Sequence, residues 1–277
     1  MEKKYELLTD QTIEFKGRTL YRIRTLRDVG RVKAGSIGGY VESENNLSHF
    51  DDCWIYNNAK VYGGALVSDK AKVVNDARVY GDARVCEDAI IDAAARVFDN
   101  ALVKGRACVT GQAMVCGFAR ISENAYVSGN SRVFEEAWVS GRARITKSAS
   151  VHGEAQVYQW AMVSDHAHVF GKAHIFGNAK VFGQAQVAGY CLLFGAAYIG
   201  CDASLGDTCD YLTIGPIGSE EGVLTAWRDA VVGVMVNRGC FTGTLTEFEN
   251  KVKARHGDNI HGIMYGHAIA MIKAAFA

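Results

Sequence analysis

The sequence predicts an all-β chain built on a parallel β-helix of about eight coils, with a small β cap before it and an α+β cap after it. Three observations point there. Stepping by six residues from Ala59 to Ala203 visits 25 positions, of which 23 are Ala and the others Ser131 and Cys191. Two residues beyond each, from Val61 to Leu205, every side chain is Val, Ile or Leu. The slot two further on is Gly at 13 of the 25 sites and mostly Asp, Asn or Glu elsewhere. A period kept without a slip over this length marks stacked repeats rather than a globular core.

Within the unit, Ala and Val sit two apart and share one face of a short strand, while the side chain between them takes the other. Small Ala at the inner corner lets the chain bend, and Val fills the interior. Gly, Asn and Asp accept the positive φ of a sharp turn. Three strands and three corners close a triangular coil of 18 residues, so the run holds eight coils, roughly 40 Å long at a strand spacing of about 4.8 Å. The Ala-x-Val run resembles the hexapeptide-repeat left-handed parallel β-helices, whose interior is aliphatic with a small residue four later. The left hand is what that resemblance implies, since parallel crossovers are ordinarily right-handed.

At 277 residues the chain has room for one elongated body with small ends. Its formal charge is zero, so it lacks the overall field of a polyanion binder and carries no strong nucleic-acid signal. No apolar run approaches a membrane span of roughly 20 residues, and the first residues lack a signal-peptide core. Eight scattered cysteines contain no Cys-x-x-Cys pair, which argues against a zinc site or a disulfide framework. Cys53 and Cys191 fall in the small inward slot and read as filler. A reduced, cytoplasmic setting without metal or cofactor is the expectation.

The expected domains are residues 1–46 as N-terminal β cap, 47–206 as β-helix and 207–277 as C-terminal cap. Ile13–Lys16 and Arg18–Thr25 read as strands meeting at Gly17, on a basic segment taken as a solvated surface. Gly38-Gly39 could cradle a phosphate, but no Lys follows at phosphate-loop spacing, so a turn feeding the coils is the preferred reading. The segment Gly35–Leu47, Cys53-Trp54 and the repeat after them resemble the YdcK-like β-helix proteins of bacteria and phages over residues 1–205. That resemblance implies no established activity.

Outward side chains sort into columns every 18 residues. The slot after Val on the first wall carries Tyr62, Tyr80, Phe98, Cys116, Phe134, His152, Phe170 and Ala188, beside a file containing Lys60, Arg78, Arg96 and Arg132. Tyr62, Tyr80, Phe98, Phe134 and Phe170 with Arg78, Arg96 and Arg132 are therefore the candidate interface, because such a row should not stand in water. Three occupants fit it: neighbouring subunits in a side-by-side homo-oligomer, with a trimer favoured; a terminal segment of the chain; or a partner or small anionic ligand paired with the arginines. A Phe collar at Phe170, Phe176, Phe182 and Phe194 predicts that the C-terminal cap covers that end.

Beyond Gly206 three strands are expected, Tyr211–Ile217, Val223–Arg228 and Val231–Asn237. A Thr244-x-x-Glu247 capping box then opens a helix ending near Gly257, and a last helix runs from about Ile260 to Phe276, apolar at Ile263, Met264, Met271 and Ile272. Cys240, flanked by glycine and followed by His256, His261 and His267, reads as a small turn residue before a nucleophile. The resemblance to hexapeptide-repeat proteins implies, for their acyltransferases, a catalytic His on or beside a loop that leaves the coils, and no coil here has such an insertion. Two readings follow. The first is a non-catalytic binding or inhibitor protein on a rigid oligomeric scaffold with a protein partner; the resemblance adds a phage origin and a host defence factor as target. The second is an acyltransferase using acyl-CoA between subunits, with His152 or His168 as base.

Overall fold

Residues 3–277 are described by a computed structural model of the chain. Two-residue strands recur every six residues and form three parallel sheets. The first wall contains Lys60–Val61 through Ser204–Leu205, the second Leu66–Val67 through Leu192–Leu193, and the third Trp54–Ile55 through Tyr198–Ile199. Pairing is in register from coil to coil, so that Arg96 lies between Arg78 and Met114. Backbone N–H groups reach down to the next coil, as Lys60 N does to Ala77 O at 3.0 Å and Tyr62 N to Val79 O at 3.1 Å. The repeat thus folds as the left-handed class of parallel β-helix, with about nine turns.

The core is the repeat itself. Each corner Ala and each Val, Ile or Leu two residues on is fully buried in one continuous cluster. Ser131, standing in an alanine slot, donates its Oγ to Ser128 O at 2.8 Å and so enters the interior with its hydroxyl satisfied. Burial pushes the Cys191 thiol up to about 12, consistent with its filler role. Every turn-slot residue from Gly63 to Cys201 has positive φ, including Glu87, Ala93, Lys147 and Gln159. The conformation is imposed by stacking, and several of the non-glycine residues there add a tether. Carboxylates of Asp69, Glu87, Asp99 and Glu135 accept the N–H of the turn residue one coil on, at 2.7 to 3.1 Å.

At the N-terminal end, β1 (Tyr5–Phe15) and β2 (Arg18–Thr25) form a hairpin through Lys16 and Gly17, and β2 pairs antiparallel with β3 (Ile37–Val41). β3 then pairs in parallel with Lys60–Val61. Stacking therefore reaches back into the segment expected to be cap, which gives the extra turn. Gly38 and Gly39 lie within β3 and are neither a turn nor a phosphate cradle. A Cβ on Gly38 would meet Trp54 Cζ2 at 2.6 Å, and one on Gly39 would meet Ala59 O at 2.6 Å. Glycine is required because the strand presses onto the Trp54 plug. The basic segment has one member that is not solvated: Lys4 is fully buried, its Nζ 3.0 Å from Cys53 O and 3.1 Å from Cys53 Sγ, and desolvation pulls its pKa down.

At the other end the sheet Tyr211–Ile217, Gly222–Asp229, Gly233–Arg238, Phe241–Thr244 is antiparallel and has four strands rather than three. Its fourth strand, Phe-Thr-Gly-Thr, is too short and too polar to show alternation. The Gly222–Asp229 strand closes the column: Trp227 is fully buried in the β-helix core, Thr225 Oγ1 accepts Tyr198 N–H at 3.2 Å and Asp229 accepts Asp202 N–H at 3.1 Å. The Phe residues expected to be covered there pack within the coils instead, Phe176 on Phe194 and Phe182 on Tyr198, and Phe194 remains 46% exposed. α1 (Leu245–His256) begins at the expected capping box and ends at Gly257. α2 (Ile260–Ala275) buries Tyr265, Ala268, Ile269 and Ile272, the i, i+3, i+4, i+7 face. Of the apolar positions read from the sequence, Ile272 is buried while Ile263, Met264 and Met271 are exposed. Among the described residues no helix is long and apolar enough to cross a membrane.

Candidate functional site

The first-wall aromatics form a real ladder, but they divide into two halves. Tyr62, Tyr80 and Phe98 stack with centroids 5.0 and 4.8 Å apart and nearly parallel planes, while Phe134, His152 and Phe170 stack at 4.6 and 5.2 Å. Cys116 separates them. The first half is already occupied by the chain's own hairpin. Phe15 at its tip meets Tyr62 edge-on at 5.8 Å, Arg78 lies 5.1 Å over the Phe15 ring, and Lys16 Nζ is 5.4 Å above Tyr80. Tyr62 is consequently buried, and burial raises the pKa of both Tyr62 and Tyr80. Tyr62 and Arg78 hold a terminal segment, one of the three occupants expected. Phe98 is half-buried beneath Tyr80, and Arg96 and Arg132 are exposed. Phe134 and Phe170 are half-buried, and among the described residues no segment is stacked across them as Phe15 is across Tyr62.

The histidines are not assembled as an acid–base pair. His152 is a rung of the lower stack, its Nδ1 3.6 Å from Glu135 Oε2. His168 is exposed and pairs across the sheet with Ser150 and Gln186. His174 lies on the second wall, edge-on to Tyr158 at 6.3 Å. Among the described residues no three His, Cys, Asp or Glu side chains gather as a metal cluster. Cys240 is exposed in the Gly239–Cys240 turn between two strands, rather than at the start of α1.

The most exposed aromatic surface is elsewhere, on the second wall and its two corners. Trp138 and Trp160 sit on successive coils at opposite edges of that wall, 44% and 57% exposed. Both are held in place. Trp138 Nε1 donates to Ser122 Oγ at 3.2 Å, and the Arg142 guanidinium stacks on the Trp160 ring at 4.4 Å. Tyr158 lies between them and stacks on Phe176 at 5.1 Å. A groove of about 510 Å³ follows the corner at Phe118, Arg120, Trp138 and His174. A second of about 590 Å³ follows the opposite corner at Tyr126, Arg142, Arg144 and Trp160.

Sorting the sequence by the slot after Val missed this surface, because Trp138 stands before a Val and Trp160 stands at a corner. The available signal was residue size: two of four tryptophans fall at outward positions one coil apart. Trp54 and Trp227, the other two, plug the two ends of the column. No known protein family and no curated protein matches the chain.

Proposed function

We propose that the chain is a non-catalytic binding protein that engages a protein partner through its second wall. The observation that carries the reading is the pair Trp138 and Trp160, half-exposed yet each held by a contact, to Ser122 and to Arg142. Tryptophan, tyrosine and arginine dominate binding hot spots, and side chains fixed before binding lose little entropy on docking. The stacked coils beneath give a rigid, slightly grooved face some four rungs tall. An inhibitor acting by occlusion needs such a face and no reactive group.

Self-association belongs, in this reading, to the lower half of the first wall, where Phe134, His152 and Phe170 lie beside exposed Arg132. An acyltransferase would need a mobile base next to a substrate loop. His152 is clamped between two rings and the coils run unbroken, so nothing specific favours that alternative.

The test is affinity purification from the native cell of wild type, Trp138→Glu/Trp160→Glu and Tyr80→Glu/Phe98→Glu proteins, each checked by circular dichroism. A stoichiometric protein partner should accompany the wild type and the first-wall variant and be lost from the tryptophan variant. Equal recovery with both variants would refute the assignment to the second wall.

A further inference from the structure

We propose that the C-terminal cap binds a small organic anion, an oxyanion group carried on a flat apolar body, in the pocket beside Arg238. Arg238 ends the Gly233–Arg238 strand, and its side chain runs beneath the turn that links the first two cap strands. Nη2 donates to Ile217 O at 2.7 Å. The side chain is only 10% exposed, and its Nε is buried with no hydrogen-bond partner. Among the described residues the one acid within reach, Glu220, stands 3.8 Å from Nη1 and is itself 81% exposed. So loose and solvated a carboxylate compensates little of a charge taken nine-tenths out of water.

The fold makes room for this cation deliberately. A Cβ on Gly222 would meet Arg238 Nη1 at 2.6 Å, so the neighbouring strand carries hydrogen where any other residue would displace the guanidinium. Beside it opens a pocket of about 430 Å³, within the roughly 300–1,000 Å³ of small-molecule sites. Its apolar lining includes Phe241, Val252 and the edges of Phe248 and Tyr265, two largely buried rings packed edge to face at 5.6 Å. Lys251 and Arg255 of α1 add two further cations at the pocket. An apolar floor with three cations in its lining and one poorly held acid matches an anion with a ring attached. The anionic oxygens would take the place now held by the Glu220 carboxylate, with the ring on Phe248 and Tyr265. This site is separate from the second wall and stands independently of the binding role proposed for it.

The probes are phenyl phosphate, benzoate, phenol and inorganic phosphate, titrated into the full chain by calorimetry with the cap resonances followed by NMR. Phenyl phosphate or benzoate should saturate, at least about tenfold more tightly than phenol or inorganic phosphate. Which of the two binds better distinguishes a phosphate ligand from a carboxylate. Lys251→Gln/Arg255→Gln, both exposed and so expected to fold normally, should weaken binding by about tenfold or more. Glu220→Gln should strengthen it several-fold. Arg238→Gln should abolish it, and because that variant also loses the Ile217 bond, the two exposed variants decide the matter. No saturation by either aromatic anion up to about 10 mM, equal affinity for phenol, or affinity unmoved by Lys251→Gln/Arg255→Gln would each overturn the proposal.

Discussion

Gly141→Ala paired with Glu123→Gly tests the stacking of corners on corners. Both positions occupy the turn slot of the second wall, one coil apart, with φ of +67° and +58°. A Cβ on Gly141 would stand 2.5 Å from Gln159 N, 2.8 Å from its Cα and 2.9 Å from its O, all backbone atoms that cannot rotate aside. The left-handed conformation costs an L-residue about 1–2 kcal/mol. Relief of the overlap adds about 1–3 kcal/mol, and the smaller entropy of unfolded Ala returns about 0.4–1 kcal/mol. The expected loss is therefore about 1–5 kcal/mol. Glu123→Gly removes the same conformational cost and restores the unfolded-state entropy, and the Glu123 side chain makes no hydrogen bond that would be forfeited. Its expected change is a gain of up to about 1 kcal/mol. Urea unfolding followed by circular dichroism gives both values from the midpoint and slope. If Gly141→Ala lies within about 0.5 kcal/mol of wild type, or Glu123→Gly is the more damaging of the two, corner stacking is not what selects glycine here.

Three other outcomes are expected. Phe15→Ala removes a half-buried ring from Tyr62, Lys60 and Arg78 and should cost about 1–2 kcal/mol, read as faster hydrogen exchange across β1 and β2 while the lower coils are unchanged. A thiol reagent should label the exposed Cys209 and Cys240 at once and leave Cys53 and Cys191 untouched until the chain unfolds, because burial raises both of the latter thiols; early labelling of Cys191 would contradict its place in the core. The hydrogen bond from Lys147, helped by the Gly183 N–H, holds the Asp165 carboxyl below its ordinary range. That stabilisation is present above the unfolded pKa and is lost as pH falls through the folded one. The gap in Tm between wild type and Asp165→Asn should thus close below about pH 4, and a gap constant with pH would count against the pairing.

The column was legible because a hexad repeat leaves no freedom: Ala at the corner and Val at the wall fix strand, turn and register together, and the structure departs from that reading only at its ends. There the local pattern is overridden by packing. Gly38-Gly39 looks like a turn, yet glycine is needed because β3 lies against Trp54. Lys4 looks like one more surface charge, yet the carbonyls of the Cys53 corner draw it inside. On α2 the large apolar side chains of Ile263, Met264 and Met271 face outward while small Ala268 is buried, so apolar size does not mark the packed stripe. The candidate site was the least legible. A column of aromatics was visible in the middle slot, but stacked rings cover one another and the hairpin covers part of the rest. Exposure accumulates at the corners, where tryptophans in different slots converge only once the walls are built.

Photo-crosslinking from one position on each wall bears most directly on the central claim. Arg132, Gln156 and Lys72 stand on the first, second and third walls, and Gln156 pairs directly with Trp138. A crosslinking residue at Gln156, introduced into the protein in its native cell, should give one adduct with another protein, abolished by Trp138→Ala/Trp160→Ala, while Lys72 gives none and Arg132 gives at most adducts between copies of the chain. No adduct from Gln156, or the same foreign adduct from all three walls, would contradict it.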